Sequence, residues 1–503
     1  MDPMNAVIWL IATPLLSVPV VYLAGRLVAR KAGDSSTINP ARWVALAAML
    51  VTGVFLFVAG QSVATTSNPI GMTVETITLR FDGISLVLAF SVWLLGTLVI
   101  LFSGPYMKAE VGEEKFYSLL MAMIGTMIGL GTAVDLFNLW VWFEAMAISS
   151  YMLVAFYREE PASLEAGVKY LVQSAVGSVL ILMGIVVVFM YTGTLNPDVF
   201  RMYLMPWPGL IGAGALFIIG FGVKTALVPL HTWLPDAHSQ APSGISAMLS
   251  GVVIETGLIA MLRSLGALSE VYNWGIILVI FAAVNMLVGN LMALRQKQVK
   301  RLLAYSSVAH MGYMLFGLGV ALSFGQSNGA AGGFFHLFNH AMMKGLAFLG
   351  VGALLYALHL ARGDHSPLMV EDLNGAARKY PWVVLTLSIG LLALGGLPPL
   401  AGFMSKWQIL VAGAQTQNVW MIVLVVFMGL NSVLSLGYYA PLVNRLYRTQ
   451  PSDIVMEGKP VSWLMTLPLI LLALGTVVLG FYPALLNWLT KPAALALFQT
   501  FGR

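Results

Sequence analysis

Residues 220–238 read GFGVKTALVPLHTWLPDAH. The stretch is apolar enough for a membrane, yet it carries Lys224, Pro229 and Pro235. Proline removes a backbone donor and its ring clashes with the preceding turn, so a helix through this stretch is interrupted. A second stretch, LLALGGLPPLAGFMSKW at 391–407, has the same ingredients in Pro398, Pro399 and Lys406. Unwound backbone at membrane depth survives only where protein or a water-filled cavity surrounds it. Two proline breaks, each with a lysine nearby, therefore predict broken membrane helices that line a polar interior. The plainer alternative is that the prolines merely kink two ordinary helices.

The composition agrees with a membrane setting. Of 503 residues, 59% are hydrophobic and 9% charged, whereas a soluble domain carries roughly 25% charged residues. Mean hydropathy is +0.87. The chain has no cysteine, which excludes thiolate-held iron–sulfur clusters, Cys-ligated zinc, disulfides and cysteine nucleophiles. No glycine-rich dinucleotide loop, phosphate loop or HExxH zinc motif occurs. No cofactor and no metal is expected on this chain. The net charge of +5 reads as membrane orientation and not as nucleic-acid binding.

A membrane helix needs about 20 mostly apolar residues, and about fourteen such segments follow one another here. Their centres lie near residues 17, 53, 94, 125, 145, 180, 217, 256, 284, 312, 346, 393, 430 and 474. The first has no convincing cleavage site and is read as a span. The longest connections, 62–82 and 362–380, leave no room for a soluble domain.

Basic residues test the count. Loops after odd-numbered spans hold Arg26, Arg30, Lys31, Arg42, Lys108, Lys115, Arg158, Lys169, Arg295, Lys297, Lys300, Arg301, Arg362, Arg378, Lys379, Arg445, Arg448 and Lys459. Loops after even spans and the C-terminus hold only Arg80, Arg201, Lys491 and Arg503. The positive-inside rule then places odd loops in the cytoplasm and both termini on the outer, periplasmic side of the inner membrane.

The broken spans, 7 and 12, are five apart and so cross in opposite directions. Paired interrupted helices in oppositely oriented halves point to an inverted-repeat transporter. The expected fold is an all-α integral membrane protein with two inverted five-helix repeats, spans 4–8 and 9–13. The segments are 1–110 with three spans, 111–270 and 271–450 with one repeat each, and 451–503 with span 14.

A charge at the bilayer centre costs about 2.5–3.5 kcal/mol on insertion scales. This chain places Glu144 in span 5, Lys224 in span 7, Glu255 in span 8, His310 in span 10, His336, His340 and Lys344 in span 11, and Lys406 in span 12. His336, His340 and Lys344 follow at i, i+4, i+8 and share one helix face. Burial moves acids and bases towards neutrality, where they exchange protons readily. Glu144 and Lys224 are read as a pair, since both belong to the first repeat at similar depth. The bland alternatives are packing histidines and static ion pairs. Arg263 and Lys169 are read as snorkelling to an interface. His336 and His340 have the spacing of metal ligands, but no carboxylate or thiol neighbours them.

Four motifs carry a family resemblance: KTALVPLHTWLPDAHSQAPS (224–243), KRLLAYSSVAHMGYM (300–314), HLFNHAMMKGLAFL (336–349) and LPPLAGFMSKW (397–407). With them the chain, over roughly residues 80–450, resembles the antiporter-like subunits. These are the proton-pumping membrane subunits L, M and N of respiratory complex I, with the large Mrp sodium/proton antiporter subunits and the membrane subunits of energy-converting hydrogenases. The resemblance implies fourteen helices with broken helices 7 and 12. It implies Glu144 and Lys224 as the coupling pair, His310, His336, His340 and Lys344 on the central hydrophilic axis, and Lys406 at the exit half. One position departs: where the family usually has a span 8 lysine, this chain has Glu255. A carboxylate there reverses the charge of the middle element, and it would also suit a hard ion such as sodium. The chain stops soon after span 14, which disfavours subunit L. HTWLPDAH is M-like, while Lys406 is more N-like or Mrp D-like.

The implied function is a proton-translocating subunit in the membrane arm of a complex I-type NADH:quinone oxidoreductase. It would have no redox site of its own and would be driven by a partner module bearing iron–sulfur clusters and by other membrane subunits. A Mrp-type antiporter subunit, a membrane-bound hydrogenase subunit and a non-pumping anchor are the alternatives.

Overall fold

The computed structural model describes residues 2–32, 39–74, 77–108, 110–201 and 204–502. Each of the fourteen expected span centres falls inside a helix. Among the described residues, twelve helices are long and apolar enough to cross a membrane. The other two centres fall in shorter apolar helices, Pro208–Lys224 and Pro381–Gly395, the first halves of the two interrupted segments. Arg503 and the side chains of Arg30 and Lys31, used in the charge count, lie outside the described residues.

The helices sort into an inner and an outer set. Ser243–Ala267, Val299–Phe324 and Ser327–Leu358 are buried along nearly their whole length. Pro3–Ala32, Ala41–Thr66, Pro161–Thr192 and Val419–Leu446 turn apolar side chains outward. Leu50, Phe57, Met190 and Trp420 are each more than two-thirds exposed. So much open apolar surface belongs against lipid and not water. Burial of the inner helices is what makes their charged side chains informative.

Both breaks are built as the prolines require. Pro208–Lys224 stops, the chain unwinds over 225–232, and Trp233–Gln240 resumes. Ala226 takes the left-handed conformation, φ 57°, inside this break. Its loosened backbone finds a side-chain partner: Asn285 Oδ1 accepts from Val228 N (2.9 Å) and Asn285 Nδ2 donates to Ala226 O (3.2 Å), while the same Nδ2 also reaches Val308 O (3.3 Å) on the neighbouring helix Val299–Phe324. Trp233 Nε1 donates to Val223 O at 2.7 Å. In the second break, Pro381–Gly395 ends on Gly396, φ 81°, and Ala401–Gln415 follows. The two halves pass so closely that a Cβ on Gly402 would lie 1.9 Å from Ala393 O. Unpaired backbone is costly without water, so these contacts are what permit a break at this depth.

Four features differ from the sequence reading. The connection read as a loop at 62–82 contains a hairpin, β1 (Ile70–Val74) antiparallel to β2 (Ile77–Phe81), with Ile70 opposite Phe81. The segment 451–503 holds Trp463–Phe481 and a further helix, Asn487–Thr500, packed against Gly83–Tyr106. Span 8 is not uniform: Leu249–Val253 forms a π-helical turn, the kind of insertion that recurs at functional sites. Arg263 does not snorkel. It is 7% exposed and grips Asp82 with two hydrogen bonds (3.1 and 3.0 Å), and it also donates to Gly131 O (2.6 Å). A partner 181 positions away in sequence lets the charge stay buried. Lys169 is half exposed and pairs with Glu165 (2.7 Å) and Asp236 (3.2 Å), as an interfacial lysine does.

Candidate proton-relay site

Lys224 occupies the last turn of Pro208–Lys224 and is 1% exposed. Its Nζ donates to Tyr170 Oη (2.6 Å) and Ser150 Oγ (3.3 Å) and lies 4.5 Å from the Tyr170 ring centre. Trp233, just past the break, stacks on Tyr170 at 4.0 Å with the rings 4° from parallel. The interruption thus fixes the ring that fixes the ammonium. Glu144 does not close an ion pair with Lys224. The lysine turns to the two hydroxyls, and Glu144 Oε1 is buried without a hydrogen-bond partner.

Four elements bring the central residues together. Glu255 follows the π turn and is fully buried. Its Oε1 lies 2.8 Å from His340 Nδ1, while Oε2 has no partner. His310 Nδ1 lies 3.0 Å from His336 Nε2, and His336 Nδ1 lies 2.8 Å from Ser405 Oγ, beside Lys406. The rings of His310 and His340 are 5.3 Å apart without a hydrogen bond, and each keeps a buried, unpartnered Nε2. The result is a buried line, Glu255–His340, then His310–His336–Ser405, joined across one ring-to-ring step.

This line has the right chemistry for proton transfer. A neutral imidazole accepts at one nitrogen and donates at the other, so a proton taken on one side leaves from the other. The Glu255–His340 bond can be made with the proton on either partner. Each bond in the line can reverse its donor and acceptor, and one transfer resets the next.

The two remaining lysines sit differently. Lys406, 3% exposed, donates to Leu394 O (2.9 Å) and Ser432 Oγ (3.1 Å) and lies 4.5 Å from the Tyr313 ring centre. Lys344 shares a helix with His336 and His340 but leaves their line. It donates to Leu303 O (2.7 Å) and to Ser306 Oγ, which is itself bonded to Tyr439 Oη. Among the described residues no cluster of three or more His, Cys, Asp or Glu side chains has the arrangement of a metal site.

The sequence reading missed the hydroxyls of Ser150, Tyr170, Ser405 and Ser432. They were legible only as polar residues inside apolar spans. It also counted Lys300 as a loop cation, whereas Lys300 is 4% exposed and donates to Ala241 O.

Residues 133–435 match the family profile described as NADH:quinone oxidoreductase/Mrp antiporter, transmembrane. Residues 69–117 match the N-terminal region described for chain 5 of NADH-ubiquinone oxidoreductase, complex I. The chain belongs to this family. It is an antiporter-like, multi-pass membrane subunit. Its relatives include NADH-quinone oxidoreductase subunit N of Desulfitobacterium hafniense, 32% identical over 423 residues, covering 80% of this chain and 82% of that one. Hydrogenase-4 component B of Escherichia coli K12 is 36% identical over 348 residues, covering 66% of this chain. The antiporter-like subunit spans only half of that relative's length. In the structure of an archaeal respiratory membrane complex, the membrane-bound sulfane sulfur reductase, one chain is 29% identical and superposes with a TM-score of 0.85, covering 98% of this chain and 97% of its own.

Proposed function

We propose that the chain is a proton-translocating subunit in the membrane arm of a complex I-type NADH:quinone oxidoreductase. The observation that carries this reading is the buried Glu255–His340, His310–His336–Ser405 line, set between lysines placed at two broken helices. Protons enter from the cytoplasmic side near spans 7 and 8, cross along this line and leave near Lys406. Glu144 is Lys224's partner in another state of the cycle, when a neighbouring subunit moves. The fourteen spans form two inverted repeats, 4–8 and 9–13, with both termini outside the inner membrane.

Moving one charge against 100 mV costs about 2.3 kcal/mol. The energy comes from partner subunits, a redox module with iron–sulfur clusters among them. The match to hydrogenase-4 component B favours a second reading in which that module is a hydrogenase. Identification of the subunits that co-purify in mild detergent separates the two. Lys224→Ala tests translocation itself. The assembled variant complex is expected to keep its redox turnover and lose proton translocation. Normal translocation by that complex would overturn the reading.

A further inference from the structure

Two cavities lie in series on the face that carries the odd-numbered loops. The outer one, of about 380 Å³, is walled by Glu110, Lys115, Arg158 and His365. The inner one, of about 40 Å³, shares Tyr157, Glu160 and His365 with it and ends on Gln240 and Lys300. Burial at the wall of the outer cavity raises the Glu110 carboxyl above the usual carboxylate range, so it collects protons more readily than an open carboxylate.

Lys300 opens the helix Val299–Phe324 and is 4% exposed. Its Nζ donates to Ala241 O at 2.5 Å, and among the described residues no carboxylate pairs with it. Behind it lies His238, fully buried, with neither ring nitrogen hydrogen-bonded. The imidazole stacks on Phe348 at 4.6 Å with the rings 14° from parallel. Its helix, Trp233–Gln240, ends beside Ala241, the residue whose carbonyl holds the Lys300 ammonium. The Lys344 ammonium is 6.0 Å from the centre of that same Phe348 ring. An imidazole with two free nitrogens between two buried lysines is poorly explained as packing, because unpaired buried polar atoms are costly and usually satisfied.

We propose that Lys300 and His238 are proton-relay residues of an entry route that runs from the two cavities, along the second half of the broken span 7, to Lys344. Lys300 passes a proton to a His238 nitrogen and is recharged from the inner cavity. His238 hands the proton on to the Lys344 amine. Lys344 accepts as a neutral amine and becomes the ammonium; each transfer neutralises its donor and charges its acceptor, so protons balance as far as Lys344. The inference rests on the proton-translocating reading above.

The test uses the assembled complex in sealed vesicles. Lys300→Arg keeps the charge but holds its proton, and it is expected to lower translocation about tenfold or more, within the range of a lost acid–base group. Lys300→His, which titrates, is expected to recover translocation above the arginine level. Full translocation by Lys300→Arg overturns the route. If that variant does not assemble, Gln240→Cys decides, since the chain has no native cysteine. An impermeant thiol reagent is expected to label it from the odd-loop side only and to block translocation; absence of labelling, or full translocation after labelling, overturns the route. Loss in Lys224→Ala with none in Lys300→Arg sinks this route alone. Normal translocation in both sinks the translocating reading itself.

Discussion

The two broken helices solve one problem with different parts. Each holds a buried lysine 4.5 Å from a tyrosine ring, Lys224 on Tyr170 and Lys406 on Tyr313. Each lysine is also tied to the C-terminal end of a half-helix, where a cation is favoured. Lys224 sits in the last turn of Pro208–Lys224, and Lys406 reaches back across its break to Leu394 O near the end of Pro381–Gly395. The remaining partners differ. Lys224 bonds two hydroxyls, which can accept from a charged amine or donate to a neutral one. Lys406 bonds a carbonyl, which only accepts, and one hydroxyl. The first site therefore has partners for a lysine that gains and loses a proton. The second ties its lysine to the broken backbone itself.

The largest effect that sharpens this comparison is at Lys406. Lys406→Ala is expected to reduce proton translocation to background and to free Leu394 O, seen as a lowered Tm alongside the lost activity. Translocation without Lys406 would break the likeness between the two sites.

Next come the clamps on the two breaks. Asn285 makes two hydrogen bonds to the first break and a third to Val308 O on the helix beside it, whereas Asn339 makes one near the second, to Ala401 O at 3.1 Å. An orphaned buried backbone group costs about 1–3 kcal/mol. Asn285→Ala is thus expected to lower stability by more than Asn339→Ala in thermal unfolding of the detergent-solubilised protein. Equal losses would mean that the first break does not depend on its asparagine.

The smallest effects separate the two rings. Tyr170→Phe keeps the stack on Trp233 but removes a hydrogen bond to Lys224, worth about 1.5–3 kcal/mol for a charged partner. Tyr313 Oη makes no hydrogen bond to Lys406, so Tyr313→Phe leaves that lysine's own hydrogen bonds in place. Translocation is expected to fall in the first variant and to stay near wild type in the second. A reversed order would show that ring faces, and not hydroxyls, set the two sites.

Much of this was legible in the sequence because membranes impose simple rules. Runs of about 20 apolar residues are spans, and proline in such a run breaks it. Charges inside apolar runs had to be buried together, so Glu255, His310, His336 and His340 were readable as one group. Their order of bonding was not, since it depends on rotamers and on the π turn at 249–253, whose sequence LSGVV has no signature. Lys344 shared the helical face of the histidines, yet its long side chain reaches Ser306 instead. The hairpin at 70–81 left a signal that was overlooked: Ile70, Met72 and Val74, then Ile77, Leu79 and Phe81, alternate at the period of a strand. The Asp82–Arg263 pair left none, because nothing local links residues so far apart in sequence. Lys300 was misplaced because Lys297 and Arg301 beside it made the stretch look like a loop.

The most direct measurement is proton translocation per redox turnover in an assembled complex carrying Glu255→Gln. Glutamine keeps the shape and can still bond His340, but it cannot bind or release a proton. If the buried line carries protons, the variant turns over normally and translocates fewer protons per turnover. An unchanged ratio would contradict a path through Glu255 and leave the histidines as packing residues.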